Sequence, residues 1–348
     1  GLIMFLKIII GYLLIVIYLT MVAIGAEIYE RKGYKKSTGA YLCLIPIYGI
    51  IKVLLAPALR EVSKEALRKF YKPGEIMMKL LTFAQLTLVA ILIILPVTYM
   101  IGSSFAKTSD LPETFLPKNF TLNNYKRLFL ETDFWRWLVN TASIAVITMV
   151  ISVVFVTGAG YVFARFKFKG KKVALLGILV LQIFPSFMSM IALFTLYEIF
   201  GLLGQPLALV IIYVGGSIPF NVWLIKGYLQ QIPRDLDESA MLDGANKWQI
   251  FTKIILPLSV PVLSFVAVSQ FMAPWMDYML PRLLLDIKST KENWTIALGL
   301  FDMISGPDKQ NYTTFAAGSM IVAVPITVLY MVFQRYLITG IIAGATKG

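Results

Sequence analysis

The residues best placed to do chemistry are the carboxylates of one polar segment, residues 235–244, in a chain that is otherwise strongly apolar. Asp235 and Glu238 follow Pro233 and predict the first turn of a helix, because the positive end of the helix dipole stabilises negative charge. Gly244 predicts the end of that helix. A short polar helix of this kind indicates a surface that docks against another protein.

A second short helix is predicted over residues 246–255. Its apolar residues recur at three- and four-residue steps: Trp248, Phe251, Ile254 and Ile255. We expect this stripe, led by Trp248, to anchor the segment to the protein's own helix ends. Pro257 is predicted to end the helix, because proline lacks an N–H and its ring clashes with the preceding turn. The two helices and their connection form the 235–257 loop.

Composition excludes most enzymatic chemistry within this chain. It contains no histidine and one cysteine, Cys43, which excludes histidine bases, disulfides and thiolate zinc sites. No stretch matches Gly-x-x-x-x-Gly-Lys-Ser/Thr, so nucleotide binding in the Walker manner is not expected. Hydrophobic residues make up 58% and charged residues 15% of the 348 residues. This composition leaves too little polar surface for a soluble protein of this length. The chain is predicted to be an all-α polytopic membrane protein without a metal or cofactor of its own.

Several apolar segments approach the roughly twenty residues that a membrane-spanning helix needs. They are residues 2–24, 41–59, 80–101, 137–164, 173–197, 207–224, 258–285 and 315–337. The net charge of +13 arises from basic residues at the ends of these segments, which indicates contact with anionic lipid and not with nucleic acid. We expect a membrane domain over residues 77–348, interrupted by a cytoplasmic loop at residues 232–258, and an amino-terminal extension over residues 1–76.

The basic connector at residues 165–172 sets the predicted orientation. It holds five basic residues in eight positions and is therefore expected on the cytoplasmic side. Counting spans from there places the 235–257 loop and the carboxy terminus inside. Residues 102–136 and 286–314 are then outside.

The amino-terminal extension allows two interpretations. Residues 25–79 contain eleven basic and five acidic side chains, which suits a cytoplasmic location. Either residues 41–59 span the membrane, or they lie in the interface while residues 2–24 enter from outside. The length of the apolar run favours spanning, although it is unusually interrupted. Residues 64–72 are predicted to form a basic amphipathic helix on the inner membrane surface.

The 235–257 loop carries a fixed pattern of residues. Glu238, Ser239 and Ala240 are followed after three residues by Gly244, and after nine more by Ile254-x-Leu256-Pro257. This spacing resembles the Glu-Ala-Ala signature loop of the membrane subunits of bacterial ABC importers, with Ser239 in place of the middle alanine. Further segments resemble the sugar-importer branch, in particular its maltose-type second permease: residues 242–245, 256–261, 295–300, 314–317 and 334–348.

The resemblance implies a six-helix type I importer permease core, with one or two extra membrane helices before it, in the bacterial cytoplasmic membrane. It implies import of a carbohydrate, an oligosaccharide in particular, by alternating access. The implied partners are an ATPase homodimer that binds ATP and Mg, a second permease subunit and an extracellular solute-binding protein. The residues implied to couple this chain to the ATPase are Glu238, Ser239, Ala240, Gly244, Ile254, Leu256 and Pro257. Glu238 has an alternative role, the stabilisation of the helix start by its negative charge, and this role is compatible with a contact to the ATPase.

The exterior loop after residue 300 is predicted to project outward, because it is rich in turn-forming residues. Its candidate residues are Ser305, Gly306, Pro307, Asp308, Gln310 and Asn311. The resemblance implies that this loop contacts the solute-binding protein and helps displace the sugar. The alternative is an ordinary solvated loop.

A possible translocation path is predicted from residues near span ends. Asp277 is costly within a membrane and therefore suggests a role, together with Trp275 beside it and with Phe220 and Trp223 in an earlier span. The alternative is structural, with Asp277 as a hydrogen-bonding partner and the aromatic rings packed between helices. The alternative function is a secondary transporter or channel subunit not coupled to ATP, which the few intramembrane charges and the lack of an inverted repeat disfavour.

Overall fold

A computed structural model describes residues 73–112, 114–117, 119–183, 186–287, 289–305 and 311–345. The predicted spans 2–24 and 41–59 and the basic helix 64–72 lie outside these residues. Within them the chain is all-α, as predicted, and its one recorded β contact is an isolated bridge between Ala106 and Phe120. The described residues fall in two compact units. One contains residues 73–102 and 114–116, and the other contains 103–112 and the residues from 117 onward.

The helices of the described residues are numbered in chain order. They are α1 (Pro73–Ser104), α2 (Asn123–Leu130), α3 (Phe134–Arg165), α4 (Lys171–Val180), α5 (Ser186–Ile199), α6 (Leu209–Leu229), α7 (Asp235–Leu242), α8 (Lys247–Leu258), α9 (Val260–Met276), α10 (Met279–Leu284), α11 (Ile296–Asp302) and α12 (Tyr312–Ala345). Short 3₁₀ turns lie at Pro206–Ala208 and Lys291–Asn293.

Four of these helices, counted over the described ranges, are long and apolar enough to cross a membrane: α1, α3, α6 and α12. They match the predicted spans at residues 80–101, 137–164, 207–224 and 315–337. Helices α8 and α9 qualify together as one bent pair, with an angle of 76° between them. The structure therefore confirms the predicted class, an all-α membrane protein.

Two predicted spans are not continuous helices. Residues 173–197 are divided between α4 and α5, and the intervening sequence contains Pro185, which disfavours helical conformation in the residue before it. Residues 258–285 are interrupted at Asp277, whose backbone is extended with ψ 121°. The Asp277 side chain then accepts the backbone N–H of Leu280 at 3.3 Å, which helps to start α10. A local polar contact thus interrupts an apolar run that hydropathy alone treats as one span.

The smaller unit contains α1 and the short segment that returns to its end. A Cβ on Gly102 would lie 1.9 Å from the Phe115 carbonyl oxygen, so only glycine permits this approach. The Tyr99 ring meets the Phe115 ring edge-on, with 5.5 Å between centroids. Large apolar side chains along α1, such as Leu86 and Leu92, remain exposed. Among the described side chains of α1, the exposed apolar ones lie between residues 86 and 101.

The larger unit is built around α3, which packs most extensively against α6. The buried face of α3 carries mostly small or short side chains at steps of three or four: Thr141, Ala145, Thr148, Ser152, Val156, Gly160 and Ala164. Such residues let two helices approach closely in apolar surroundings. Ser217 of α6 donates a hydrogen bond to Ser152 at 3.1 Å, and a Cβ on Gly160 would be 2.6 Å from Ile225 Cγ2.

The two ends of α3 are fastened to different segments. At its start, Trp137 stacks on Trp294 with 6.5 Å between ring centroids and donates from Nε1 to the Lys291 carbonyl at 2.7 Å. At its end, Arg165 contacts the 235–257 loop. With 32 residues, α3 is about 48 Å long, which exceeds the roughly 30 Å of a bilayer's hydrocarbon core. It therefore links surfaces that lie on opposite sides of a membrane.

The close packing of α3 on α6 predicts a difference between two glycines. Gly160→Ala is expected to lower stability by about 1–3 kcal/mol, because the added methyl group must displace Ile225. Gly158→Ala is the matched control, since a Cβ there meets no atom within 4 Å. Thermal unfolding of the purified full-length chain in detergent measures both. Equal unfolding midpoints for the two variants would show that the helices are not in close contact.

Candidate functional site

Helix α7 begins and ends where the sequence predicts. Its first turn contains Asp235, Asp237 and Glu238. At its other end Gly244 has φ 80°, and the Ala245 N–H donates to the Ala240 carbonyl at 2.9 Å, as in a Schellman motif. A side chain with a Cβ is strained at this φ, so glycine fixes the turn between α7 and α8.

Helix α8 begins with a capping box. Asn246 Oδ1 accepts the Gln249 N–H at 2.9 Å, and Gln249 Oε1 accepts the Asn246 N–H at 2.8 Å. The prediction that Pro257 ends the helix is confirmed to within one residue, since α8 ends at Leu258 and the chain bends by 76° after it. The segment Phe251–Ile255 directly before the proline is π-helical. Because a π-helix pairs residues five apart, it relieves the clash that proline causes within an α-helix.

A buried ion pair joins α7 to the end of α3. Arg165 Nε lies 2.9 Å from Asp237 Oδ2, and the two side chains are only 7% and 10% exposed. The contact is an ion pair by distance and not an aligned hydrogen bond, and Asp237 Oδ1 accepts no hydrogen bond from the described residues. Arg165 Nη2 donates to the Ile232 carbonyl at 3.0 Å. One turn earlier on α3, the Tyr161 hydroxyl lies 3.5 Å from the Lys247 carbonyl oxygen.

Apolar contacts beneath α8 complete this attachment. Ile250 and Ile255 are each 1% exposed and belong to a cluster that includes Ile225 and Leu229 of α6. Within the predicted anchoring stripe, Ile255 is buried in this cluster and Phe251 packs against it, whereas Trp248 is 70% exposed and does not anchor the loop. Ile250 and Ile255 are five residues apart, the spacing of a π-helix. Because the sequence prediction assumes α-helical spacing, it places Trp248 and not Ile250 among the buried residues.

Other side chains of α7 are exposed. Glu238, Met241 and Leu242 are spaced three and four residues apart, so they lie on one side of the helix, and we refer to them as the exposed face. Leu242 is 90% exposed and Met241 is 51% exposed. Exposed apolar side chains grouped beside a carboxylate are typical of an interaction surface. Trp248 adds a large exposed ring at the start of α8.

The other residues predicted to couple to an ATPase lie at different depths. Ser239, Gly244 and Pro257 are exposed, whereas Ala240, Ile254 and Leu256 are half-buried. A cleft of about 260 Å³ runs beside them, lined by residues of α3, α7 and α8 that include Arg165, Asp237 and Glu238. The predicted residues thus form one continuous loop, but only some of them are available for contact.

The segment before α11, which leads to the predicted binding-protein-facing loop, is held by side chains of α3. Arg136 of α3 forms an ion pair with Glu292. Asn140, one turn later, donates its side-chain amide to the backbone carbonyls of Glu292 and Trp294, at 2.8 and 3.1 Å. The segment before α11 is therefore attached to α3 by side-chain contacts on successive turns.

The loop itself is described only at its two ends. The Ser305 hydroxyl donates to the Phe301 carbonyl at 2.7 Å, and the Asn311 N–H donates to the Met303 carbonyl at 3.2 Å. The remaining predicted residues lie outside the described residues: Gly306, Pro307, Asp308 and Gln310. The contact with a binding protein stays a prediction.

The residues predicted for a translocation path lie in two places. Trp275 is 7% exposed within the core, and Asp277 accepts a hydrogen bond from the Tyr213 hydroxyl at 2.9 Å. On α6, Phe220 is 55% exposed and Trp223 donates to a backbone carbonyl of α4 at 3.2 Å. The contacts of Trp275 and Trp223 are those of helix packing. A role in translocation stays a prediction for all four residues.

Membrane-length helices joined to a loop that is held on one side and exposed on another are the framework of an integral membrane protein. A family model described as binding-protein-dependent transport system inner membrane component matches residues 156–342, more than half of the chain. The chain belongs to this family. The matched region contains the whole 235–257 loop.

Characterised relatives extend the similarity over most of the chain. The galactooligosaccharides transport system permease protein GanQ of Bacillus subtilis is 40% identical over 273 residues, which are 77% of this chain and 95% of that protein. The maltodextrin transport system permease protein MdxG of Bacillus subtilis is 41% identical over 271 residues, 78% and 96% of the two chains. The maltodextrin transport system permease protein MalD of Streptococcus pneumoniae is 36% identical over 270 residues, 77% of this chain and 95% of that protein. The predicted resemblance to the maltose-type permeases is confirmed.

The fold is also similar to that of a solved transporter. A chain of a bacterial ABC transporter involved in the import of the acidic polysaccharide alginate aligns with a TM-score of 0.66 and 24% identity. The alignment covers 76% of this chain and 98% of that chain. At this identity the likeness concerns the fold alone, and it confirms the predicted importer permease fold.

The Arg165–Asp237 pair is the part of the site that sequence reasoning missed. In the sequence Arg165 is only one of the basic residues at 165–172, and Asp237 is not among the predicted site residues. Their pairing joins distant parts of the sequence, and no local pattern reveals it. The one sequence signal that points to Asp237 is its position directly before Glu238, the first residue of the signature pattern.

The capping box predicts how the start of α8 responds to substitution. Asn246→Ala is expected to destabilise this turn by about 1 kcal/mol, because the Gln249 N–H loses its acceptor. Asn246→Asp keeps an acceptor and serves as the control. Hydrogen exchange of the amides of residues 247–250 in the full-length chain should accelerate for the alanine variant only. Identical exchange in both variants would contradict the capping role.

Proposed function

We propose that this chain is a permease subunit of an ATP-driven importer that carries an oligosaccharide into the cytoplasm by alternating access. Relatives named for galactooligosaccharides and maltodextrin support the carbohydrate class. The proposed partners are an ATPase homodimer, a second permease subunit and an extracellular solute-binding protein. ATP and Mg²⁺ bind to the ATPase, and this chain converts its movement into transport.

The observation that supports this coupling best is the exposed face of α7. Leu242 offers an apolar side chain that a recess in the ATPase would remove from water, which is favourable in free energy. Glu238 offers a carboxylate beside it for a basic residue of the ATPase. The inner side of the same helix is held to α3 by the Arg165–Asp237 pair. A displacement of the exposed face would therefore reach the membrane helices directly.

The proposed orientation places the 235–257 loop in the cytoplasm. The basic connector at residues 165–172 follows the end of α3, and basic connectors of this kind favour the cytoplasmic side. The start of α3, where Trp137 stacks on Trp294, then faces outward. The carboxy terminus, which follows α12, is proposed to lie on the cytoplasmic side.

The outward end of the protein is proposed to receive the solute-binding protein. Arg136 and Asn140 hold the segment before α11, so the loop at residues 305–311 stands on a rigid base. A rigid base with a polar tip is suited to recognition, because binding then orders few additional residues. The substrate reaches the translocation path from this side.

The proposed energy source is tested by uptake into vesicles. Vesicles containing this chain, the second permease and the ATPase, supplied with binding protein and a labelled maltodextrin, are expected to accumulate sugar only with ATP on the ATPase side. Without ATP, uptake should fall to the level of vesicles that contain no protein. Equal accumulation with and without ATP would overturn the proposal in favour of a secondary transporter or a channel.

The docking surface is tested by a matched pair of exposed leucines. Leu242→Ser should weaken ATPase binding roughly tenfold to a hundredfold, since burial of a leucine side chain contributes about 1.5–3 kcal/mol. Leu130→Ser is the control, because Leu130 is 82% exposed on α2, outside the loop. Titration of the ATPase onto nanodiscs that hold both permeases measures the affinity. Unchanged affinity for the Leu242 variant would exclude the exposed face as the docking site.

A further inference from the structure

We propose that Arg165 and Asp237 are positioning residues that make α3 and the 235–257 loop move as one rigid body. This inference rests on the proposed function, because it concerns how a displacement of the loop by the ATPase reaches the membrane helices. Both side chains are buried, so they act through other residues and not by contact with a partner. Asp237 also falls outside the signature pattern that begins at Glu238.

The two adjacent carboxylates of α7, Asp237 and Glu238, have different environments and therefore different proposed roles. Adjacent residues on a helix point about 100° apart, so Asp237 is buried against Arg165 while Glu238 reaches the surface beside the adjoining cleft. Asp237 is 7% exposed and paired with Arg165, whereas Glu238 is exposed. Helix α7 has only eight residues, so it is too short to bend appreciably between these sides. A displacement of the exposed face is therefore transmitted to the Arg165–Asp237 ion pair.

Arg165 is placed to receive that force. It is the last residue of α3, and its guanidinium contacts both α7, through Asp237, and the chain before α7, through the Ile232 carbonyl at 3.0 Å. Tyr161 adds contacts to α8, where its ring centroid lies 4.7 Å from that of Phe251. The last turns of α3 thus contact three successive segments: the chain before α7, α7 itself and α8.

An ion pair differs from the surrounding apolar contacts in how it responds to displacement. Apolar contacts such as those of Ile250 and Ile255 are not directional, so they specify the register of the two surfaces less sharply than a charge pair does. A buried charge that leaves its partner remains unpaired in apolar surroundings, which is strongly unfavourable. The Arg165–Asp237 pair therefore specifies the register of the loop on α3 more sharply than the apolar cluster does.

The first test separates transmission from stability. Asp237→Asn keeps the shape of the side chain but removes its charge, and the sugar transported per ATP hydrolysed is expected to fall about tenfold, within the range of known coupling energies. Asp235→Asn is the matched control, since it removes an exposed carboxylate from the same helix. Titration of the ATPase is expected to give wild-type affinity for both variants. Wild-type uptake in the same vesicles reports on the proposed function, so a loss confined to Asp237→Asn concerns the ion pair alone.

The second test restores the link covalently. In a Cys43→Ser background, Arg165→Cys with Asp237→Cys is joined by a short bifunctional thiol reagent that a reductant cleaves. The joined protein should transport sugar with the wild-type ratio to ATP, and cleavage should lower that ratio about tenfold. Should Asp237→Asn fail to assemble, this pair decides alone, because both states are measured on one folded protein. The same ratio before and after cleavage, or a wild-type ratio in Asp237→Asn, would overturn the proposal.

Discussion

The close packing of α3 against α6 is the interaction on which the rest of the larger unit depends. Apolar side chains gain little by leaving lipid for another helix, so two membrane helices associate through close approach and polar contacts. Gly160 permits the approach to Ile225, and Ser152 bonds to Ser217. Nearer the start of the same face, Thr141 accepts the Ile296 N–H at 2.8 Å. One face of α3 therefore holds α6 along its length and the segment that leads into α11.

The 235–257 loop meets this framework with one face and leaves the other free. Its inner face combines the Arg165–Asp237 pair with the buried side chains of Ile250 and Ile255. Its outer face presents Leu242 and a carboxylate. Apolar contacts hold the loop without directional preference, whereas the charge pair adds a penalty for any displacement that separates the two charges. A loop with such different faces suits the task of passing movement between two proteins.

Local features of this site are predictable from sequence, and tertiary ones are not. Helix α7 and its end at Gly244 follow from charge and glycine effects that act within a few residues. The end of α8 near Pro257 follows from proline chemistry. The expectation for Trp248 is wrong because a π-helical segment changes which residues share a face, and no simple periodicity reveals such a segment. Hydropathy locates the membrane segments, but their breaks depend on contacts such as that of Asp277 with Leu280. The Arg165–Asp237 pair is visible only in the folded chain.

The central claim is that the loop and α3 move together during the transport cycle. It is tested most directly by distances between spin labels at Asp243 on the loop and Val154 on α3, both exposed, in the Cys43→Ser chain within the assembled transporter. A second pair joins Asp243 to a label on the second permease. The Asp243–Val154 distance should be the same in nucleotide-free and ATP-trapped states, while the distance to the second permease changes. A shift in the Asp243–Val154 distance on ATP trapping, or no change in either distance, would contradict the account.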